Sequence, residues 1–376
     1  MTLLQRLFFI CWGVVTTVFC MKYLPLPLPT GFFCGVGLTL GISQLFAYRD
    51  RMVSFEKLAN RLWWIGTIGT VVLQSVLLIK VDPMNVGVDR WSAIHNFWDA
   101  FLQGEFPYAV TTHLPNENTP SPLPVWMMMV LPFYLLGDVG ILQPVLFIFI
   151  SVLIYRMFSK SSDRLILFLI ITLSPAFWYE TLVRSDLLSC MVIGVCAVTA
   201  IHRLGSGTNS LWKLTNTTII LGLLMSTRSV LAIPAALIVA GISQNSVIRF
   251  FSLSFGALPI FLLTLLPFYL WNSELFIANN PLILNANKSA PGLISLVLIL
   301  SPILGFRIKS FQQRIFWGGF FIFLVTIIPQ LWLLTKTPFS KILYEDMVDV
   351  SYLVMGLPFM LVGIIGNLNE PSNFSE

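Results

Sequence analysis

The chain has 376 residues, of which 56% are hydrophobic and only 10% are charged. Soluble domains contain about 25% charged residues, and a single water-soluble core stops growing near about 250–300 residues. This composition excludes a soluble globular fold, so lipid must cover most of the apolar surface. The net charge of +5 comes from short basic segments between apolar runs, which is typical of cytoplasmic loops and not of a nucleic-acid-binding surface.

The apolar runs predict an all-α, polytopic integral membrane protein with about 10–12 transmembrane helices in a single transmembrane domain, residues 1–376. The predicted spans are about 6–24, 28–47, 62–79, 124–157, 165–182, 187–203, 214–241, 250–271, 291–306, 315–334 and 350–367. Polar residues and prolines interrupt 124–157 and 214–241, so the number of crossings in these two segments stays open. No small-x-small cleavage pattern follows the first run, and we expect an uncleaved helix there.

Basic residues concentrate in five short loops, at 49–61, 156–164, 203–213, 307–314 and around Arg249. The positive-inside bias places all five in the cytoplasm, provided that 124–157 crosses the membrane an odd number of times. The segments 80–123, 272–290 and 335–349 and the Tyr179–Asp186 turn then face the non-cytoplasmic side. We expect a multi-pass protein of a bacterial inner or plasma membrane.

The segment 80–123 is the longest polar stretch and holds five of the 17 acidic residues. Loops of this length in a compact protein are usually functional or disordered. Its aromatic residues favour packing over disorder, and Trp91, Ile94, Trp98 and Phe101 recur at helical spacing. The pattern predicts an amphipathic surface helix at 90–103.

Three motifs surround this helix. Val88-Asp-Arg-Trp91 precedes it, Gly104-Glu-Phe-Pro-Tyr108 follows it, and a proline-rich stretch then opens the next apolar run. Ser174-Pro175, Arg184-Ser-Asp186 and Ser226-Thr-Arg228 come later in the chain. Over residues 62–240, the order of these motifs resembles the GT-C superfamily of polytopic membrane glycosyltransferases, which use polyprenyl-phosphate-linked sugars.

The resemblance implies a mannosyltransferase-like enzyme that moves a sugar from a polyprenyl-phosphate-sugar donor to a lipid or glycan acceptor, with inversion. Asp89 matches the catalytic acidic position of that family. The chemistry suits a carboxylate there, since transfer to a hydroxyl needs a base for the acceptor proton. The leaving phosphate needs cationic neutralisation, for which Arg184 and Arg228 are candidates.

The remaining candidate substrate-binding residues are Asp186, Glu105, His95 and Tyr108. Several of these residues also have structural interpretations that stay open. Asp89 is a good helix N-cap, Glu105 suits a solvated turn, and Arg184 with Asp186 suits an interfacial ion pair. Glu345, Asp346 and Asp349 form either a second polar lip over the site or a solvated loop.

No cofactor is expected. A divalent metal is possible but unsupported, because the five cysteines lie in apolar runs without metal-ligand spacing. The expected partners are the donor, the acceptor and membrane lipids, without nucleic acid. A transporter or flippase for a lipid-linked or small solute is the alternative function, and a non-catalytic membrane scaffold is a third.

Overall fold

The structure is a computed structural model, and it describes residues 1–49, 51, 55–115, 118–206, 210–243, 246–283, 290–344 and 349–366. Every regular element within these ranges is helical. The α-helices are α1 Leu3–Tyr23, α2 Leu28–Ala47, α3 Glu56–Lys80, α4 Arg90–Gln103, α5 Pro124–Leu135, α6 Leu142–Met157, α7 Ser161–Thr172, α8 Pro175–Leu182, α9 Leu187–Gly205, α10 Leu211–Met225, α11 Ala232–Ile242, α12 Val247–Trp271, α13 Ser273–Ala278, α14 Pro291–Arg307, α15 Phe311–Leu334, α16 Phe339–Tyr344 and α17 Leu357–Ile365.

In the described part of the chain, seven helices are long and apolar enough to cross a membrane. They are Leu3–Tyr23, Leu28–Ala47, Glu56–Lys80, Val139–Met157, Leu187–Gly205, Val247–Trp271 and Phe311–Leu334. The pair α7 and α8, bent by 58°, is an eighth candidate. These helices confirm an all-α, multi-pass membrane protein. The sequence predicted about 10–12 spans, with two of the segments interrupted. In addition to the helices of spanning length, the described part of the chain has five apolar helices of 10–17 residues.

The segment 124–157 contains one helix of spanning length. The 12-residue α5 ends at a turn where Gly137 has φ +100°, a left-handed conformation that favours glycine. The turn continues through Asp138 into a 3₁₀ turn and α6, which together form the 19-residue candidate span Val139–Met157. A single crossing agrees with the odd number that the basic loops require.

The segment 214–241 consists of two short helices with a break between them. α10 ends at Met225, Ser226–Arg228 is irregular, and a 3₁₀ turn then leads into α11. The far end of α11 meets the end of α9, since a Cβ added to Gly205 would lie 2.3 Å from the Ile242 side chain. α10 and α11 are therefore two separate helices, joined by the irregular segment that contains Arg228.

Contacts between helix ends show which helix termini lie together at each of the two ends of the bundle. At the first end, the Arg184 guanidinium joins the C-terminus of α3 to the turn before α9. The Leu123 amide, before α5, donates to the Thr227 carbonyl at the α10–α11 break. At the second end, Glu56 of α3 accepts from Ser162 at the start of α7. The 80–123 segment thus packs at the first end.

Basic side chains of three of the five basic loops make contacts at the second end. Arg164 of α7 donates to the Phe158 carbonyl, and Arg249 of α12 donates to the Gly205 carbonyl. Arg314 at the start of α15 donates to the Gly305 carbonyl near the end of α14. The 80–123 segment and the basic loops therefore lie at opposite ends of the bundle.

A helix forms over the residues that the aromatic spacing indicates, Arg90–Gln103. Its apolar face packs on the bundle, with Ile94, Phe97 and Trp98 buried. Gly104 ends the helix in a left-handed conformation, φ +79°. α4 is consequently fixed against the first end of the bundle, and Asp89, the residue before it, has a defined position.

Candidate active site

Asp89 occupies the N-cap position of α4, but its side chain makes no capping hydrogen bond. Its backbone carbonyl accepts from the Ala93 amide at 2.8 Å, which begins the helix. The carboxylate Oδ2 instead accepts a 2.7 Å hydrogen bond from the Asn118 side-chain amide. Asp89 is only partly buried. The geometry therefore removes the capping interpretation and leaves a partly exposed carboxylate held by an amide.

Asn118 is held in place by contacts between α4 and the segment that follows it. The Thr112 amide donates to the Asn118 carbonyl at 2.9 Å. Asn96 of α4 donates to the Thr111 carbonyl at 2.8 Å, and the Ser92 hydroxyl lies 2.6 Å from His113 Nδ1. These bonds hold residues 111–113 along α4, and they orient the Asn118 amide toward Asp89.

Arg90, the next residue, is buried and pairs with the C-terminal part of the chain. Its Nη2 donates to Asp349 Oδ2 at 2.5 Å and to Ser351 Oγ at 2.9 Å. The guanidinium also lies over the Tyr352 ring, 5.0 Å from its centroid. The partial burial of the Asp349 carboxyl acts to raise its pKa, but Arg90 and the Ser351 hydrogen bonds act in the opposite direction and hold that pKa below its ordinary value. Asp349 is therefore an anion bound to Arg90.

Asp186 and Arg228 form a second, fully enclosed ion pair. Arg228 Nη2 donates to Asp186 Oδ2 at 2.6 Å, and both side chains are less than 10% exposed. Burial raises the pKa of Asp186, while the positive charges of Arg228 and Arg90 lower it, and the net direction is downward. Arg90 is thus close enough to act on Asp186. The turn before α9, the α10–α11 break and the start of α4 meet in one charged cluster.

Arg184 lies outside this cluster, although only one residue separates it from Asp186. Its Nε donates to Asp138 at 2.8 Å, and its Nη2 donates to the Leu78 and Val81 carbonyls, each at 2.7 Å. The Arg184–Asp186 ion pair that the sequence suggested is therefore wrong, because each residue pairs elsewhere. The guanidinium of Arg184 connects α3, α6 and α9.

Glu180 is a member of the cluster that the sequence reasoning missed. It lies on α8 with no exposed surface, and its Oε2 accepts from the Leu188 amide of α9 at 2.9 Å. Arg90 and Asp186 act on it electrostatically. The available signal was a single acidic residue inside the apolar run 165–182, because such residues are costly in a membrane and are often functional.

The other three predicted site residues are not brought to Asp89. Tyr108 has no exposed surface and donates to the Pro122 carbonyl at 3.2 Å, so it is part of the core. His95 is buried and stacks on Trp91 with ring centroids 4.0 Å apart. Glu105 lies beyond the C-terminus of α4, on an open cavity of about 430 Å³. α4 is about 20 Å long, so Glu105 is far from Asp89.

Two further sequence hypotheses concern metal ligands and a polar lip. Among the residues that the structure describes, no group of three or more His, Cys, Asp or Glu side chains is arranged to hold a metal ion. Glu345 and Asp346 of the suggested lip lie outside the described residues. Asp349 does reach the cluster, through Arg90.

No protein family, no curated protein and no solved structure matches this chain. The membrane architecture is shown by its own helices. The GT-C resemblance rests on the motifs and their order along the chain, so family and activity are proposals argued from the cluster.

Proposed function

We propose that this chain is a membrane glycosyltransferase of the GT-C type. It transfers a sugar from a polyprenyl-phosphate-sugar donor to a hydroxyl group of a lipid or glycan acceptor. The observation that carries the proposal is the Asp89 carboxylate, which is partly exposed and held by Asn118 although it occupies a capping position. A carboxylate that does not stabilise its own helix, one residue before an arginine of the buried cluster, is suited to chemistry.

The reaction assigns one task to each group. Asp89 takes the proton of the acceptor hydroxyl while that oxygen attacks the anomeric carbon of the donor sugar. The bond between the anomeric carbon and the phosphate oxygen breaks, and polyprenyl phosphate leaves with the bonding electron pair. A single displacement inverts the anomeric configuration. The charge that develops on the phosphate requires cationic groups, and Arg228 lies in the cluster next to Asp186.

The position of the cluster supports a reaction at the membrane surface. Asp89 and the ion pairs lie at the first end of the bundle, whereas the basic loops lie at the second end. By the positive-inside bias, the second end faces the cytoplasm, and the active site opens on the non-cytoplasmic side. A lipid-linked donor would enter between helices and present its phosphate and sugar there.

One observation favours a transporter or flippase as the second candidate function. Glu180, Asp186 and Arg228 are all buried between helices, and interior ionisable groups often mark a transport path. Such a protein would move the phosphate-sugar headgroup across the bilayer without breaking a bond. The two functions differ in whether a new glycosidic product appears.

The deciding experiment compares membranes that contain wild type, Asp89→Asn or Asp82→Asn at equal expression. Radiolabelled polyprenyl-phosphate sugars are supplied with a lipid extract of the native host. Asp82 is the matched control, because it is an exposed carboxylate in the same segment that caps a 3₁₀ turn and accepts from Asn85. We expect wild type and Asp82→Asn to label a product, and Asp89→Asn to be about 100-fold slower or worse.

Equal labelling by Asp89→Asn would contradict Asp89 as the base. If no variant forms a product but wild type moves labelled donor between the leaflets of a vesicle, the transporter is the correct function.

A further inference from the structure

The ion pair of Arg90 and Asp349 joins the first residue of α4 to a residue 259 positions later in the chain. Arg90 Nη2 holds both Asp349 and Ser351. Arg90 is also the neighbour of Asp89 in sequence. The proposed base and this arginine are thus held by different partners, Asn118 and Asp349.

The two partners differ in their exposure. The Arg90 side chain is 8% exposed, whereas that of Asp349 is 41% exposed, so the carboxylate covers the arginine from the open side. In the neighbouring pair, Arg228 and Asp186 are 9% and 5% exposed. Asp349 can therefore leave its arginine through exposed surface. Asp186 would have to carry its charge through the protein interior.

The charges of the two ion pairs cancel, which affects how a phosphate can bind. While Asp349 and Asp186 stay in place, each arginine is neutralised, and the pairs offer no net positive charge. The Nε atoms of Arg90 and Arg228 are buried and make no hydrogen bond within the described part of the chain. A phosphate has more acceptor oxygens than a carboxylate, and arginine binds it through two parallel hydrogen bonds.

We propose that the phosphate of the donor binds Arg90 at the place that Asp349 occupies, so that Asp349 is a built-in competitor for the phosphate. The identity of the ligand as a polyprenyl-linked phosphate rests on the proposed function. Displacement of Asp349 frees the positive charge of Arg90 for the phosphate, within the cluster that also contains Arg228. Arg90 thereby takes the role that the sequence suggested for Arg184.

The test measures binding to the purified full-length protein in lipid nanodiscs. The probes are a radiolabelled polyprenyl monophosphate without sugar and, separately, inorganic phosphate. We expect Asp349→Asn to bind the polyprenyl monophosphate about tenfold more tightly, because the competing charge is gone. Arg90→Gln should bind it at least about tenfold more weakly. Asp349→Glu keeps the carboxylate and should resemble wild type.

Asp138→Asn is the matched control. This substitution also removes the carboxylate partner of a buried arginine, Arg184. Arg184 remains bound to the Leu78 and Val81 carbonyls. The affinity of this variant for the probe should not change. A gain in affinity cannot result from misfolding, so the Asp349→Asn result is interpretable even if the variant is less stable.

Unchanged or weaker binding by Asp349→Asn overturns the proposal, as does an equal gain in Asp138→Asn. Inorganic phosphate that binds as tightly as the polyprenyl monophosphate would overturn the lipid headgroup as the source of the anion. If Asp349→Asn tightens binding but wild type transfers no sugar, the phosphate site stands and the proposed function fails. If wild type transfers sugar but Asp349→Asn binds the probe as wild type does, the proposed function stands and the phosphate site fails.

Discussion

Arg184 and Asp186 are separated by one residue, yet their side chains enter two different ion pairs, with Asp138 and with Arg228. The backbone explains this divergence. Arg184 has φ +49°, a left-handed conformation that non-glycine residues seldom adopt, and it turns the chain between α8 and α9. The turn between α8 and α9 therefore contains Arg184, which links helices, and Asp186, which belongs to the charged cluster.

The different partners predict that Arg184 mainly supports the fold. Arg184→Gln leaves the Asp138 carboxylate without its cation and two backbone carbonyls without their donor. Breaking a buried ion pair from one side costs about 3–5 kcal/mol. Because Asp138 is 26% exposed, we expect about 2–3 kcal/mol here.

Thermal unfolding in detergent measures the effect of Arg184→Gln. Arg203→Gln is the control, because Arg203 is exposed and should change the stability by less than about 0.5 kcal/mol. Equal melting temperatures for the two variants would show that the Arg184 contacts do not hold the helices.

The hydrogen bond between Asn118 and Asp89 gives a prediction about rate. Asn118→Ala removes the amide that orients the carboxylate, so the base samples unproductive positions. We expect kcat to fall about tenfold, which corresponds to the roughly 1–1.5 kcal/mol of one hydrogen bond. The measurement is the initial rate of sugar transfer at saturating donor.

The chain offers a close control for Asn118. Asn85 also donates to an aspartate of the same segment, Asp82, at 3.2 Å, but both residues of that pair are exposed. Asn85→Ala should keep the wild-type rate. If both variants lose rate equally, the effect comes from the segment as a whole and not from the orientation of Asp89.

The sequence predicted local features well and distant partners poorly. The spacing of Trp91, Ile94 and Trp98 was enough to place α4, because helical periodicity is a local property. The partner of Arg90, Asp349, lies 259 positions away, and no spacing rule connects them. Glu180 was missed because its membership of the charged cluster depends on three helices that meet around it.

Asp89 shows a second limit of the sequence. Capping and catalysis use the same residue type at the same position, so the sequence left both open. The hydrogen-bond partner argues against a side-chain cap, and that partner, Asn118, belongs to a different part of the segment.

His95 predicts a dependence of stability on pH. Burial lowers its pKa from 6.5, with Asp138 and Asp99 acting in the opposite direction and Arg184 acting in the same direction as burial. Below pH 6.5 the unfolded chain binds more protons at this residue than the folded protein does. Stability should therefore decrease as the pH falls from 6.5 toward the lowered pKa, and the His95 contribution is fully present above pH 6.5.

The check is the melting temperature from pH 5 to pH 8, in wild type and in His95→Gln. Other titrating groups change both curves alike, so the difference between the slopes belongs to His95. We expect a shallower decrease in the variant on the acidic side. Parallel curves would mean that His95 accepts a proton as easily in the folded protein as in the unfolded chain.

A close backbone contact between helical segments predicts a large steric effect of a small substitution. A Cβ at Gly319 of α15 would lie 2.4 Å from the carbonyl oxygen of Gly356, the residue before α17. Small residues at such crossings allow helix backbones to approach each other. In an exposed helix, glycine to alanine stabilises by about 1 kcal/mol, whereas overpacking costs about 1–3 kcal/mol or more.

The clash should dominate at Gly319, because the obstacle is backbone and cannot rotate away. Gly319→Ala is expected to lose about 2 kcal/mol net. Gly69→Ala is the control within α3, where an added Cβ meets no atom within 4 Å, and it should be neutral or slightly more stable. Denaturation in the same detergent compares them. Equal stability of the two variants would mean that α15 and the turn before α17 can separate by a few tenths of an ångström without loss.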